Sequence, residues 1–296
     1  LETVGHLSDE DSPETGTGPG PRLGALSDLR RVHAETMPDL IIVGLQERRG
    51  HAPMQTLLEL RLAGVQIDDA AAVFEKVTGR VSLRALRPSS LVFSSEMGPN
   101  ARHVLIQRYY SALIALTGLL LALPLMAVVA LLIKATSKGP VIYRQARVGR
   151  KGRAFEVYKF RSMFVDAEAR TGAVWAAKDD PRITPLGRWL RKLRIDELPQ
   201  FINVLKGDMA IVGPRPERPE FVKTLSEIIP YYGQRHAILP GITGWAQISH
   251  KYGDTLEDTA TKLEYDLYYL KNMSVALDAY VIFQTVKVML LRRGSQ

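Results

Sequence analysis

The chain has 296 residues, 46% of them hydrophobic, and a formal net charge of +8; this length holds one large domain or two ordinary ones, and the apolar fraction excludes wholesale disorder. It contains no cysteine, which excludes a disulfide framework and any thiolate metal site. The six histidines (His6, His33, His51, His103, His236 and His250) lack zinc-like spacing, so any metal is expected on oxygen ligands. Charge is unevenly spread. Residues 1–100 carry ten Lys/Arg against fourteen Asp/Glu, a net of −4, whereas residues 101–296 carry 29 against 17, a net of +12. The second part is therefore the one that meets an anionic partner, and at this stage nucleic acid, an anionic membrane surface and a phosphorylated small molecule all fit.

In chain order, Glu2–His6 reads as a strand lacking the turn and helix that should precede it, so the natural protein is expected to continue toward the N-terminus. Residues 8–24 (SDEDSPETGTGPGPRLG) read as a loop; their glycines do not stand between a strand and a helix start, as a phosphate loop requires. A helix over Ser27–Glu35, a strand over Leu40–Leu45, a helix over Pro53–Ala63 and a strand over Gly64–Ile67 follow. That alternation predicts a parallel α/β sheet. Its strands are too few for a complete doubly wound domain and the pyrophosphate-binding first turn is missing, so no nucleotide site is expected there. Residues 78–100 read as an irregular connector.

Tyr109–Ile133 has no charged residue in 25 positions, a helix of about 37 Å, long enough to cross a bilayer. Pro124 lies near its centre, where it removes a backbone hydrogen bond. Basic residues flank both ends, Arg102 and Arg108 before, then Lys134, Lys138, Arg144, Arg147 and Arg150 after. Both flanks then prefer the cytoplasmic side, and a helix-break-helix hairpin that enters and leaves on one face satisfies this. A kinked transmembrane span and a buried core helix are the competing readings. Two more stretches suggest an interfacial protein: Arg188–Arg194 (RWLRKLR), where cations alternate with Trp189, Leu190 and Leu193, and the apolar run 275–291, which ends in Arg292 and Arg293.

The chemistry is expected further on. Residues 134–161 hold nine Lys/Arg against Glu156 alone, a self-repelling field unless an anion neutralises it. Phe155–Phe160 alternates like a half-buried strand. Arg194-Ile195-Asp196-Glu197-Leu198 places two adjacent carboxylates after a run of cations. Nearby Arg⁺ keeps a carboxylate ionised, and an ionised Asp either binds Mg²⁺ or attacks phosphorus; a helix cap is the plainer alternative. Pro214-Arg215-Pro216 holds an arginine between two residues of fixed φ, with either X-Pro bond open to a cis form, and suits bidentate phosphate recognition. Gly241 and Gly244 bracket what reads as a turn where backbone approaches a ligand.

YKFRSM (158–163), DEL (196–198), NVLKGDM (203–209), VGPRP (212–216), PGITGWAQ (240–247) and EYDLYYLKNMS (264–274) together resemble the bacterial sugar transferases, the monotopic polyprenyl-phosphate phosphoglycosyltransferases. The match runs from about Arg108 to the C-terminus. Residues 1–100 resemble the back half of the Rossmann-like domain of the large exopolysaccharide members. The resemblance implies an α/β fold: a partial Rossmann-like parallel domain and connector (1–100), a re-entrant membrane hairpin (101–138) and a catalytic domain with amphipathic interfacial helices (139–296). It implies a dyad at Asp196 and Glu197, with Asp196 as nucleophile and as Mg²⁺ ligand, and substrate contacts from Lys159, Arg161, Arg191, Arg215 and Gln247. Pro124, Pro214 and Pro216 would be structural. The implied reaction passes a sugar 1-phosphate from a UDP-sugar to polyprenyl phosphate with release of UMP, at the cytoplasmic face of a bacterial inner membrane. Implied partners are these substrates, anionic lipids and downstream glycosyltransferases, with a homodimer left open and no nucleic acid. Three positions depart from the common pattern. Leu123 stands where serine usually precedes the kink proline, Leu239 where a basic residue often precedes Pro-Gly, and residues 1–100 hold no counterpart of the N-terminal transmembrane bundle of the large members. A nucleic-acid binder would leave the charge-free segment unexplained, and an inactive assembly scaffold would not need an intact Asp196-Glu197 pair.

Overall fold

The computed structural model describes residues 2–8, 20–44, 53–86, 98, 101–165, 167, 180–250 and 255–291. Much of the expected loop, most of the connector, and Arg292 and Arg293 lie outside the described residues. The chain divides into two units, Leu1–Ala85 and Leu86–Gln296.

In the first unit, β1 (His6–Leu7) pairs in parallel with β2 (Arg22–Gly24), a strand inside the stretch expected to be loop. Leu29–Thr36 forms α1. The apolar run Leu40–Val43 forms β3, Met54–Leu62 forms α2 and Gln66–Asp69 forms β4; β3 and β4 pair in parallel, Leu40 opposite Gln66. This is one β-α-β unit, as the alternation predicted. Leu29, Leu57 and Leu60 are buried and pack with Ile41, Val43 and Ile67. Ala70–Thr78, for which no element was expected, forms α3: the Asp69 side chain accepts from Ala71 N at 2.8 Å, and Gly79 ends the helix at φ 66°.

The first described element of the second unit is α4, Ala101–Thr136, a helix long and apolar enough to cross a membrane. It runs unbroken through Pro124, where an interruption was expected. A proline forfeits one bond of the ladder and bends a helix without having to end it. β5 (Ile142–Val148) and β6 (Ala154–Phe160) form an antiparallel hairpin with Tyr143 opposite Lys159. Pro185–Lys192 forms α5, capped by the Thr184 side chain, which accepts from Gly187 N at 2.9 Å. Ile195–Glu197 is a 3-10 turn, and Gln200–Lys206 forms α6. β7 (Ala210–Val212) pairs in parallel with β8 (Gly241–Thr243), and α7 spans Pro219–Ile228 between them. Trp245–Ser249 (α8), Leu256–Asn272 (α9) and Val275–Leu290 (α10) complete the unit.

Two packing centres position the site. Val129 and Ile133 of α4 pack with Phe160, Leu190, Ile195 and Leu198, so the residues on either side of the Asp-Glu pair are anchored in apolar surface. At the other end of α4, Gln107 Nε2 lies 2.8 Å from both Tyr269 Oη and Asp278 Oδ2, and Tyr110 also bonds Asp278. Ile211 N donates to Ser111 Oγ at 3.3 Å, so α4 side chains satisfy an outer edge of β7 that would otherwise be orphaned.

Candidate active site

The carboxylate pair sits where α5 ends. Arg194 adopts a left-handed backbone, φ 54°, which costs a non-glycine residue roughly 1–2 kcal/mol. The turn that follows is held by Glu197 N donating to Arg194 O and Leu198 N to Ile195 O, both at 3.2 Å. Asn203 of α6, fully buried, ties this region to β6: its Oδ1 accepts from Tyr158 N at 2.9 Å and its Nδ2 donates to Glu156 O at 2.6 Å.

The two carboxylates then diverge. Glu197 is caged by cations, with Lys159 Nζ 2.9 Å and Arg215 Nη2 3.3 Å from Oε1, and Arg194 Nη1 3.4 Å from Oε2. Burial opposes its charge, but Lys159, Arg215 and Arg194 hold its acid form well below the usual range. Asp196 makes no hydrogen bond or ion pair among the described residues and lines a cavity of about 600 Å³. Burial and the neighbouring Glu197 push its acid form upward, against the pull of Lys159, Arg191 and Arg215. Lys159 and Arg215 bond Glu197 rather than Asp196, so their pull on Asp196 is weaker than the opposing effects of burial and Glu197.

Lys159, Arg161, Arg191, Arg215 and Gln247 all line this cavity. They differ in what they hold. Arg161 is 5% exposed and donates through Nη2 to Ser137 O at 2.9 Å and Ser137 Oγ at 2.7 Å, clasping the end of α4. Gln247 Nε2 donates to Ile242 O at 3.2 Å. The Arg191 guanidinium makes no hydrogen bond or ion pair among the described residues. Pro214 and Pro216 flank Arg215 and lend their carbonyls to the frame, accepting from Gly241 N at 2.9 Å and Arg147 Nη1 at 3.1 Å; both preceding peptide bonds are trans. Pro124 belongs to α4 and does not line the cavity. Gly241 and Gly244 are not a ligand-facing turn. A Cβ on Gly241 would strike Gly213 N, and one on Gly244 would strike Gly213 O, so the glycines let two motifs pack backbone to backbone.

Sequence reasoning missed Arg147, Arg182, Arg218, Arg235, Glu217 and Asp266, which also line the cavity. Of these, Asp266 lay inside the motif EYDLYYLKNMS without a role; Arg147 and Arg235 look like surface residues until pairing with the distant Glu217 and Asp266 buries them, whereas Arg182 and Arg218 pair locally with Asp180 and Glu220. Cations dominate the lining, with Arg147, Lys159, Arg161, Arg182, Arg191, Arg215, Arg218, Arg235 and Lys262 set against Asp196, Glu217 and Asp266. Such a chamber is built for a ligand of several negative charges.

The family model described as bacterial sugar transferase matches residues 102–292. The chain is 42% identical over 240 residues, 81% of its own length and 56% of the relative's, to the UDP-N-acetylgalactosamine-undecaprenyl-phosphate N-acetylgalactosaminephosphotransferase of Aeromonas hydrophila. It is 44% identical over 184 residues, 62% of its length, to 39% of the UDP-glucose:undecaprenyl-phosphate glucose-1-phosphate transferase of Escherichia coli (strain K12). The exopolysaccharide production protein PSS of Rhizobium leguminosarum bv. phaseoli is covered over 98% of its length at 41% identity, by 65% of this chain. The chain spans little more than half of the first relative and well under half of the second. A cation-rich cavity around Asp196, and a family match over most of the unit that builds it, lead to one assignment: the chain belongs to the bacterial sugar transferase family.

Proposed function

We propose that this chain transfers a sugar 1-phosphate from a UDP-sugar to polyprenyl phosphate, undecaprenyl phosphate in bacteria, through a covalent intermediate on Asp196. The observation that carries this reading is the division of labour in the dyad. Glu197 absorbs Lys159, Arg194 and Arg215, which leaves the Asp196 carboxylate facing the cavity. Asp196 attacks the phosphorus bonded to the sugar; that P–O bond forms as the bond to UMP breaks. A phosphate oxygen of the lipid acceptor then attacks the same phosphorus and returns the carboxylate, giving the polyprenyl-diphosphate sugar. Arg191 and Arg215 are the cations assigned to the donor's phosphates, where charge develops. Undecaprenyl phosphate and UDP-sugars stand in the names of the relatives, which supports both substrate classes.

Among the described residues no three His, Asp or Glu cluster as a cage for a metal. Mg²⁺ needs no such cage, since it binds through one or two carboxylates plus substrate phosphates, and Asp196 is the residue that would hold it. When bound, the ion supplies charge neutralisation on the pyrophosphate.

The membrane reading that goes with this chemistry is a helix lodged in the cytoplasmic leaflet. Gln107 and Ser111 near one end of α4, and Val129 and Ile133 near the other, are buried against the same unit. Leu113, Leu120, Leu121 and Leu131 are exposed by 66, 62, 78 and 72% on the outside. A helix that rests on this unit near both ends, with its apolar middle open to lipid, keeps both ends on one side, which favours entry and exit on one side over a crossing. Single cysteines at positions 102 and 138 in the cysteine-free parent, probed with an impermeant reagent on intact cells, should both stay unlabelled; labelling of either would show a crossing.

The test of function is to incubate the protein with Mg²⁺ and UDP-sugars without lipid. About one equivalent of UMP per site should appear, with a phosphosugar on the peptide carrying Asp196, and Asp196→Asn should abolish both. Normal turnover with lipid present, but no burst and no adduct, would leave Asp196 as a Mg²⁺ ligand in a ternary-complex mechanism.

A further inference from the structure

Four consecutive carbonyls of the arginine turn are each held from elsewhere in the second unit. Pro214 O accepts from Gly241 N at 2.9 Å, and Glu217 O from Val148 N at 2.8 Å. Pro216 O accepts from Arg147 Nη1 at 3.1 Å, and Arg215 O from Arg235 Nη2 at 3.0 Å. Two of these bonds are backbone to backbone and indifferent to side chains. The Arg215 carbonyl is different. Like Pro216 O on Arg147 it hangs on a side chain, but it alone belongs to the residue whose guanidinium reaches Glu197.

That side chain is deeply buried. Arg235 is 7% exposed, its Nη1 donates to Tyr232 Oη at 2.7 Å, and its Nη2 lies 2.8 Å from Asp266 Oδ2 of α9. Asp266 is itself 2% exposed. Burying such a pair strips both charges of water, and an apolar replacement of similar volume is often no less stable. Stability is thus a poor reason for this ion pair, whereas its single contact with the arginine turn supplies a specific one. A planar fork also suits the task, since one guanidinium donates to a phenol and a peptide carbonyl while its charge is paired with the Asp266 carboxylate.

We propose that Arg235 and Asp266 are positioning residues for the transfer reaction: Asp266 orients the Arg235 guanidinium, and Arg235 fixes the Arg215 peptide and so the place where the Arg215 guanidinium meets phosphate. The proposal rests on the transferase reading, and it predicts that the pair acts through Arg215 alone.

The test is a double-mutant cycle on the full chain, measuring kcat and donor KM for UDP-sugar with undecaprenyl phosphate. Asp266→Asn should lower kcat about 10- to 100-fold, the scale of misplacing a catalytic group by an ångström, with donor KM changed less than about threefold. In an Arg215→Ala background the same substitution should cost less than about twofold more, because its target is already gone. Tyr232→Phe keeps both charges of the pair and loosens only the fork. It should lower kcat by a smaller factor that also vanishes in the Arg215→Ala background, and it serves if Asp266→Asn does not fold. Equal penalties in both backgrounds, or a loss confined to melting temperature, would overturn the positioning role while leaving the transferase reading intact. A wild-type chain that turns over no UDP-sugar would overturn both.

Discussion

The two units of this chain bury different things. The first is held by Leu29, Leu57 and Leu60 under one β-α-β unit, and its ion pairs, such as Lys76 with Asp68 at 3.2 Å, lie on the surface. The second buries charge: Asp196, Arg161, Arg235, Asp266 and Asp278 are each at most 7% exposed. A surface pair contributes little, about 0–1 kcal/mol, whereas removing one partner of a buried pair costs roughly 3–5 kcal/mol. Apolar burial explains a unit whose task is to fold. Buried charge around an open cavity needs another explanation, and phosphate chemistry at Asp196 is the one proposed.

If that contrast is right, substitutions in the second unit should change chemistry and those in the first should change stability. The largest effect in this series is expected at Arg215. Arg215→Lys keeps the charge but loses the planar fork, and charged hydrogen bonds contribute roughly 1.5–3 kcal/mol, so kcat should fall about tenfold or more. Near-normal kinetics in the lysine variant would show that charge alone suffices there. A subtler change is expected in pH dependence. The nucleophile must be ionised, and burial and Glu197 raise the Asp196 acid form, so UMP release should be present at higher pH and lost as pH falls through that raised value. Glu197→Gln removes the neighbouring negative charge, and the acid limb should move to lower pH; a limb that stays put or moves up would show that Glu197 does not govern it. The smallest catalytic effect belongs to the first unit. Leu60→Ala should destabilise that unit by about 2–3 kcal/mol, read as earlier denaturant unfolding, while UMP release changes by less than about twofold. A larger loss of activity would couple the first unit's fold to the site and erase the contrast between the units.

Much of this was legible along the chain because it is local. A charge-free stretch from Tyr109 to Ile133 states a long apolar helix by composition, and alternating apolar runs state β3, α2 and β4 by period. Short elements were harder: β2 is three residues in a Gly/Pro-rich stretch, and its pairing with β1 is a contact across the loop that no periodicity announces. Pro124 predicted an interruption that a helix packed at both ends does not make.

The order of residues alone places two carboxylates side by side at 196 and 197, crowds cations around them, and sets an arginine between prolines. Which carboxylate takes the cations is set by folding. Lys159 arrives from 38 positions upstream and Arg215 from 18 downstream, and both close on Glu197. Arg235 and Asp266, which looked like unremarkable members of polar segments, became a buried pair behind Arg215 by the same means. Helix propensity and hydrophobic period act over a few residues and can be read in order. The partner of a charge is set by which distant elements the core brings together, and that is a property of the folded chain.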